Sequence, residues 1–106
     1  MAKGSNNFFH VNSASAGQVV SINSGTILRF VNINTAAVAA TSSVLTLFDA
    51  STAAQATAAN TIAVCNVQNT AIPGLIYNAP LSRGLFYTYV QTGAVTTVGD
   101  FTIVFV

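Results

Sequence analysis

The chain has 106 residues, a hydrophobic fraction of 52% and five charged side chains: Lys3, Arg29, Arg83, Asp49 and Asp100. Three scattered basic residues cannot supply the electrostatic footprint of nucleic-acid binding or of polybasic membrane attachment. No apolar run approaches the ~18 residues of a membrane-spanning helix. Cys65 is the single cysteine, so no internal disulfide can form, and no apolar stretch of signal-peptide type follows Lys3. Synthesis and folding in a cytosol is therefore the expectation. Polarity comes from 13 Thr, 10 Asn, 9 Ser and 4 Gln, all neutral. Such a surface, with a net charge of +1, offers little colloidal repulsion and suits a chain that packs against neighbours.

The apolar periodicity is that of strands. Candidates run over 8–11 and 18–22, after which Asn23-Ser24-Gly25 reads as a turn, because Asn and Gly tolerate positive φ. A long strand over 26–34 follows, and then one over 43–49, with 36–43 between them reading as a loop of small and polar residues. Segment 50–60 is Ala-rich and reads as a loop or a helical turn: Ala favours helix, but Thr52 and Thr57 oppose it and no large apolar stripe would anchor one. Strands over 60–67, 74–78, 84–91 and 100–106 complete the series, and 95–98 could lengthen either neighbour. About eight short strands in one domain predict an all-β sandwich of jelly-roll or Greek-key topology, preceded by a flexible segment 1–7.

Three of these strands are apolar on both faces. Ile27, Val31 and Ile33 alternate with Leu28 and Phe30; Leu85, Tyr87 and Tyr89 with Phe86 and Val90; Phe101, Ile103 and Phe105 with Val104 and Val106. A two-layer sandwich has one inner face per sheet, so the surplus points to contact with another copy of the subunit, loop cover being the alternative. Arg29, Leu28, Phe30, Tyr87 and Tyr89 are the candidate interface residues. A guanidinium in the middle of an apolar strand requires a partner. For Arg29 that partner is Asp49 or Asp100 of the same chain, or a carboxylate or carbonyl of another.

Little else invites chemistry. His10 is the only histidine, and its would-be co-ligands Cys65, Asp49 and Asp100 lack metal-site spacing. Cys65, within Ile62-Ala63-Val64-Cys65-Asn66-Val67, reads as a buried apolar thiol, and His10 as an edge or interface residue. Asp49 and Asp100 stand beside turns, where a carboxylate accepts backbone hydrogen bonds, rather than as a glycosidase pair. Arg83 reads as a solvated loop charge or a rim contact. No phosphate loop, nucleophile elbow or metal-binding helix motif is present. The expectation is a protein without catalytic residues, cofactor or metal.

From about Gln18 onward the layout resembles the small all-β structural proteins of tailed-bacteriophage virions, of the head decoration or cement type. The features that carry the resemblance are Leu45-Thr46-Leu47-Phe48-Asp49, the run Arg83-Gly84-Leu85 into an aromatic strand, and the ending Asp100-Phe101-Thr102-Ile103-Val104-Phe105-Val106. The resemblance implies a capsid-stabilising β-sandwich on the virion surface, made in the host cytoplasm, bound to the major capsid protein lattice and associated as a homo-oligomer, with a trimer preferred. It carries over no catalytic residue, and no capsid-anchoring arm is visible beyond 1–7. A glycan-binding module of a phage fibre or lectin-like protein is the alternative, since Tyr87 and Tyr89 share a strand face on which a sugar could stack.

Overall fold

The computed structural model describes residues 6–66 and 75–106. Eight strands follow in chain order: β1 Asn7–Val11, β2 Ser15–Ser21, β3 Ile27–Thr35, β4 Val38–Phe48, β5 Thr61–Asn66, β6 Leu75–Pro80, β7 Leu85–Thr97 and β8 Asp100–Phe105. They form two antiparallel four-stranded sheets, β1-β8-β3-β6 and β2-β7-β4-β5. The pairs β1·β8, β2·β7, β3·β6 and β4·β5 are nested, first strand with last and so on inward. The chain is thus one long antiparallel ribbon, doubled back at 49–60 and rolled into a sandwich, which is the jelly-roll order. Among the described residues no helix is long and apolar enough to cross a membrane.

The core lies between the two sheets. Val11, Leu28, Val31, Ile33, Phe101 and Ile103 of the first sheet meet Leu45, Leu47, Cys65, Leu85, Tyr87 and Tyr89 of the second. Full burial of one such side chain contributes about 1.5–3 kcal/mol, so this interlayer contact is the main stabilising term. Tyr89 stands edge-on to Phe101, with ring centres 4.9 Å apart, and Phe9 packs on Tyr87 at 5.6 Å. The Tyr89 hydroxyl is itself satisfied, accepting from Ser43 Oγ at 2.8 Å and donating to Gln91 Oε1 at 2.9 Å.

Strand positions match the periodicity, with one correction and two resolved ambiguities. Segment 36–43, expected as a loop, belongs largely to β4, which begins at Val38. Its small residues give no alternation to read, yet they pair with the far half of β7, which extends through 95–97. Gly93 permits the close approach there: at φ +96° a Cβ would lie 2.5 Å from Thr41 Oγ1. Segment 50–60 forms two single 3-10 turns, Ala53–Gln55 and Ala58–Asn60. The expected strand ends at Val67 and Gly74, and most of the expected flexible segment 1–7, lie outside the described residues; Asn7 already belongs to β1.

The doubly apolar strands are resolved mostly within the subunit. In β3 the register with both neighbours slips between Leu28 and Phe30. Such a bulge places two residues opposite one and reverses the alternation. Leu28 and Val31 therefore both point into the core, although a regular strand would put them on opposite faces. In β7, Phe86 does face outward, but it is buried with Phe48 and Ala50, and Val19 and Ala56 pack over this second small cluster. The Ala-rich segment is its cover, and its small side chains let the backbone lie close to the two rings. Part of the apolar surplus is thus accommodated within the subunit, by the bulge in β3 and the loop over Phe86, while Val90 of β7 stays exposed.

Candidate functional site

The outer face of the β1-β8-β3-β6 sheet is partly open, with Phe8 and His10 exposed on it. Alternation along β1 turns Phe9 and Val11 inward, leaving Phe8 and His10 outward. Phe8 pairs with Val104 of β8, and Val104 pairs with Phe30 of β3, so these three form one row across the sheet. Phe30 in turn is in register with Ile76 of β6. Val104 is buried between its neighbours, whereas Phe8 is 69% exposed. Arg29, the extra residue of the bulge, opposes Val104 together with Phe30 and shares this outer face.

The next row along the strands is polar: His10, Thr102 and Asn32. His10 Nε2 hydrogen-bonds Asp100 Oδ1. Asn34 Nδ2 donates to Asp100 Oδ1 at 3.0 Å and to Thr102 Oγ1 at 2.9 Å, and Asn32 Nδ2 donates to Asn34 Oδ1 at 2.6 Å. The network ties β1, β8 and β3 side by side. It contains a His–Asp pair and one hydroxyl, Thr102, which accepts from Asn34. Among the described residues no group of three or more His, Cys, Asp or Glu could hold a metal ion.

The remaining chemically interesting residues are dispersed. Cys65 lies in the core, its Sγ 3.2 Å from the Tyr77 hydroxyl; burial pushes the thiol up from its ordinary value, partly offset by that hydrogen bond. Burial and the neighbouring thiol push the Tyr77 phenol up as well. Cys65 and His10 are thus divided by the sheet itself, one inside and one outside. Asp49 takes the turn-fixing role expected of it, accepting from Ser82 N at 3.1 Å and Arg83 N at 2.8 Å. Burial raises its carboxyl, but donation by Arg83, Ser82 and Gly84, together with the Arg83 charge, outweighs it and leaves the group below its ordinary value. A groove of about 330 Å³ lies beside it, lined by Asn60, Thr61, Pro80 and Arg83 among others, and reaches neither His10 nor Cys65.

Of the five candidate interface residues, the structure brings Arg29 and Phe30 together on the open face and withdraws the other three. Leu28 is turned inward by the bulge, and Tyr87 and Tyr89 face the opposite sheet as core residues. Inward rotation of both tyrosines also removes the platform on which sugar stacking was expected. Neither aspartate pairs with Arg29: Arg83 Nη1 lies 3.8 Å from Asp49 Oδ2, and Asp100 is held by His10. Phe8, Asn32, Asn34 and Thr102 are not among the residues singled out from the sequence, and Val104 enters there only as part of a surplus apolar strand face. The alternation of Val31 and Ile33 with Asn32 and Asn34 was the available signal for a polar outer row. No protein family, curated protein or solved structure matches this chain.

Proposed function

We propose that this chain is a non-catalytic structural subunit that coats a protein shell, of the phage capsid decoration type that its layout resembles. The observation that carries this reading is the pair of open apolar faces on opposite sides of one sandwich. Phe8 stands out from one sheet, and Val64 and Val90, 61% and 52% exposed, stand out from the other. Val64 pairs with Thr46 and Val90 with Val44, so β-branched side chains adjoin one another on the second face. A jelly roll serves many functions, and the shell reading joins this surface to the resemblance rather than to the fold alone.

Each copy offers little area, and association must first offset several kcal/mol of lost translational and rotational freedom. Tight attachment then requires a repeating partner, such as a major capsid protein lattice, that several contacts engage at once. Co-sedimentation with empty capsid shells and, separately, with unassembled coat subunits tests the proposal across a range of NaCl. The expected result is binding to shells far stronger than to free subunits, and nearly independent of salt because few exposed ion pairs are available to screen. Equal binding to both overturns the shell reading, and release at moderate salt overturns its apolar basis.

A further inference from the structure

Asp49 and Arg83, two of the chain's five charged side chains, stand together on the wall of the groove of about 330 Å³ at one end of the sandwich. The groove opens between β5 and β6, edge strands of the two sheets, where the 49–60 and 81–84 loops meet. Ile62, Ala79 and Leu81, which belong to or pack against the core, give it an apolar floor. Its volume is at the small end of the ~300–1,000 Å³ of small-molecule clefts, room for a single sugar ring. We propose that this groove binds one hexopyranose, holding two adjacent hydroxyls between Asp49 and Arg83.

Both charged groups are fixed in place yet keep unused hydrogen-bonding capacity. Asp49 Oδ1 accepts from Ser82 N at 3.1 Å and from Arg83 N at 2.8 Å, whereas Oδ2 has only the 3.2 Å contact with Ser82 N. Arg83 Nη1 stands 3.8 Å from Asp49 Oδ2, beyond hydrogen-bond reach, and the guanidinium makes no hydrogen bond among the described residues. The segment that carries Arg83 is pinned on either side of it. Leu81 donates to Thr26 O at 2.7 Å and accepts from Gly25 N at 2.9 Å. Gly84 lies so close to the Ser21 and Ala50 carbonyl oxygens that no Cβ would fit. Asn60 is tied as well, its carbonyl accepting from Asp49 N at 2.8 Å and its Nδ2 donating to Gln55 O at 2.7 Å, which leaves its Oδ1 as a further acceptor. A wall ordered before binding avoids much of the ordering cost of association.

An acceptor and a donor 3.8 Å apart suit a vicinal diol. Adjacent equatorial hydroxyl oxygens stand about one hydrogen-bond length apart, ~2.8 Å. One donating to Asp49 Oδ2 and the other accepting from Arg83 Nη1 close a four-atom ring in which both new contacts have ordinary hydrogen-bond lengths. Charge selects the same ligand class. An anion drawn by Arg83 would meet the Asp49 carboxylate, and a cation drawn by Asp49 would meet the guanidinium. A zwitterion such as glycine answers both charges but must shed the hydration of two ions of its own. A hydroxyl is neutral, donates and accepts, and the C–H face of the ring can cover the apolar floor. Among the described residues no aromatic ring lines the groove, so affinity rests on hydrogen bonds and falls in the millimolar range.

Nuclear magnetic resonance titration of the full chain, without any shell, tests the site separately from shell binding. The probes are the methyl glycosides of glucose, galactose and mannose, with inorganic phosphate and glycine as charged comparators. At least one glycoside should give saturable shifts at the Asn60, Ser82 and Arg83 amides, and neither comparator should. Arg83→Ala should weaken that binding about tenfold, and Arg83→Lys, which keeps a cationic donor, should fall between the two. Circular dichroism should show both variants folded, because the turn is fixed by the Arg83 backbone N–H and not by its guanidinium. The proposal is overturned if no glycoside gives saturable shifts through the millimolar range, or if the shifts lie away from the groove. It is equally overturned if phosphate or glycine binds as tightly as the best glycoside, or if folded Arg83→Ala binds like wild type.

Discussion

Tyr89→Phe separates a core role from an interface role, because the hydroxyl that it deletes is hydrogen-bonded wholly inside the subunit. Tyr89 is fully buried and so is Ser43. The hydroxyl accepts from Ser43 and donates to the part-buried Gln91 amide. The bond to Gln91 contributes about 1 kcal/mol, and stranding the buried Ser43 donor costs about 1–2 kcal/mol in place of the bond to it. The expected loss is about 2–3 kcal/mol, a large share of the ~5–15 kcal/mol that holds a domain of this size together. Ser43→Ala alone leaves the Tyr89–Gln91 bond in place and should cost about 1 kcal/mol. In the double variant no polar group is stranded at Ser43, so the loss should fall short of the sum by about 1 kcal/mol. Urea denaturation of the four proteins measures the cycle, and the Tyr89→Phe melting temperature should drop on the order of 10 °C. A single variant within ~0.5 kcal/mol of wild type, with altered sedimentation, would refute the core assignment and return Tyr89 to the surface.

Three further outcomes follow from local geometry. Gly84→Ala should prevent stable folding, since at φ +149° its Cβ would lie 2.3 Å from the Ser21 carbonyl oxygen and 3.1 Å from that of Ala50. A soluble Gly84→Ala protein with a wild-type urea midpoint contradicts this. Phe86→Ala should cost about 3–5 kcal/mol and expose segment 50–60 to limited proteolysis, because Phe86 is the floor on which Ala50 and Ala56 rest; unchanged cleavage there refutes the cover assignment. Asp49→Asn should cost about 1–2 kcal/mol at neutral pH. The folded carboxyl lies below its ordinary 3.8, so its contribution is fully present above that value and is lost as pH falls through the folded one. Wild type and Asp49→Asn denaturation midpoints should therefore converge below pH 3.8, and a constant gap would count against the turn-fixing role.

The strand plan was legible because each strand carries its own alternation, from Phe9 and Val11 in β1 to Phe101 and Ile103 in β8. Which residues share a face can be read from parity, but parity cannot say which face is inner. Leu85, Tyr87 and Tyr89 were correctly grouped together, yet as an interface, and only the opposing sheet shows that they are core. The bulge in β3 is a second kind of limit. Nothing in Ile27-Leu28-Arg29-Phe30-Val31 marks the slip; it is a property of the ladders to β6 and β8. The row Phe8–Val104–Phe30 depends on pairing the first strand with the last, a contact that local pattern does not contain. By contrast Cys65 and Asp49 were readable, since burial in an apolar run and a turn-side carboxylate are local signals.

Association through faces rather than edges is also what the edges impose. A sandwich of this order has four edge strands, β1, β6, β2 and β5, and an exposed edge invites open-ended strand addition. Here β2 is interrupted by register slips on both sides of the run from Gln18 to Val19, next to Gly17 at φ +157°. β6 carries the slip against β3, a positive φ of 49° at Asn78, and Pro80, which lacks an N–H, as its last residue. β1 and β5 are regular in their unslipped parts but only 5 and 6 residues long. In β1 the His10–Asp100 bond holds the short strand to β8. Strand addition would thus meet broken or brief ladders at every edge, whereas each sheet also presents a solvent-facing surface of side chains. A chain with so few charges has little electrostatic repulsion to keep copies apart. Blunted edges leave the sheet faces, rather than the ladder ends, as the surfaces open to a partner.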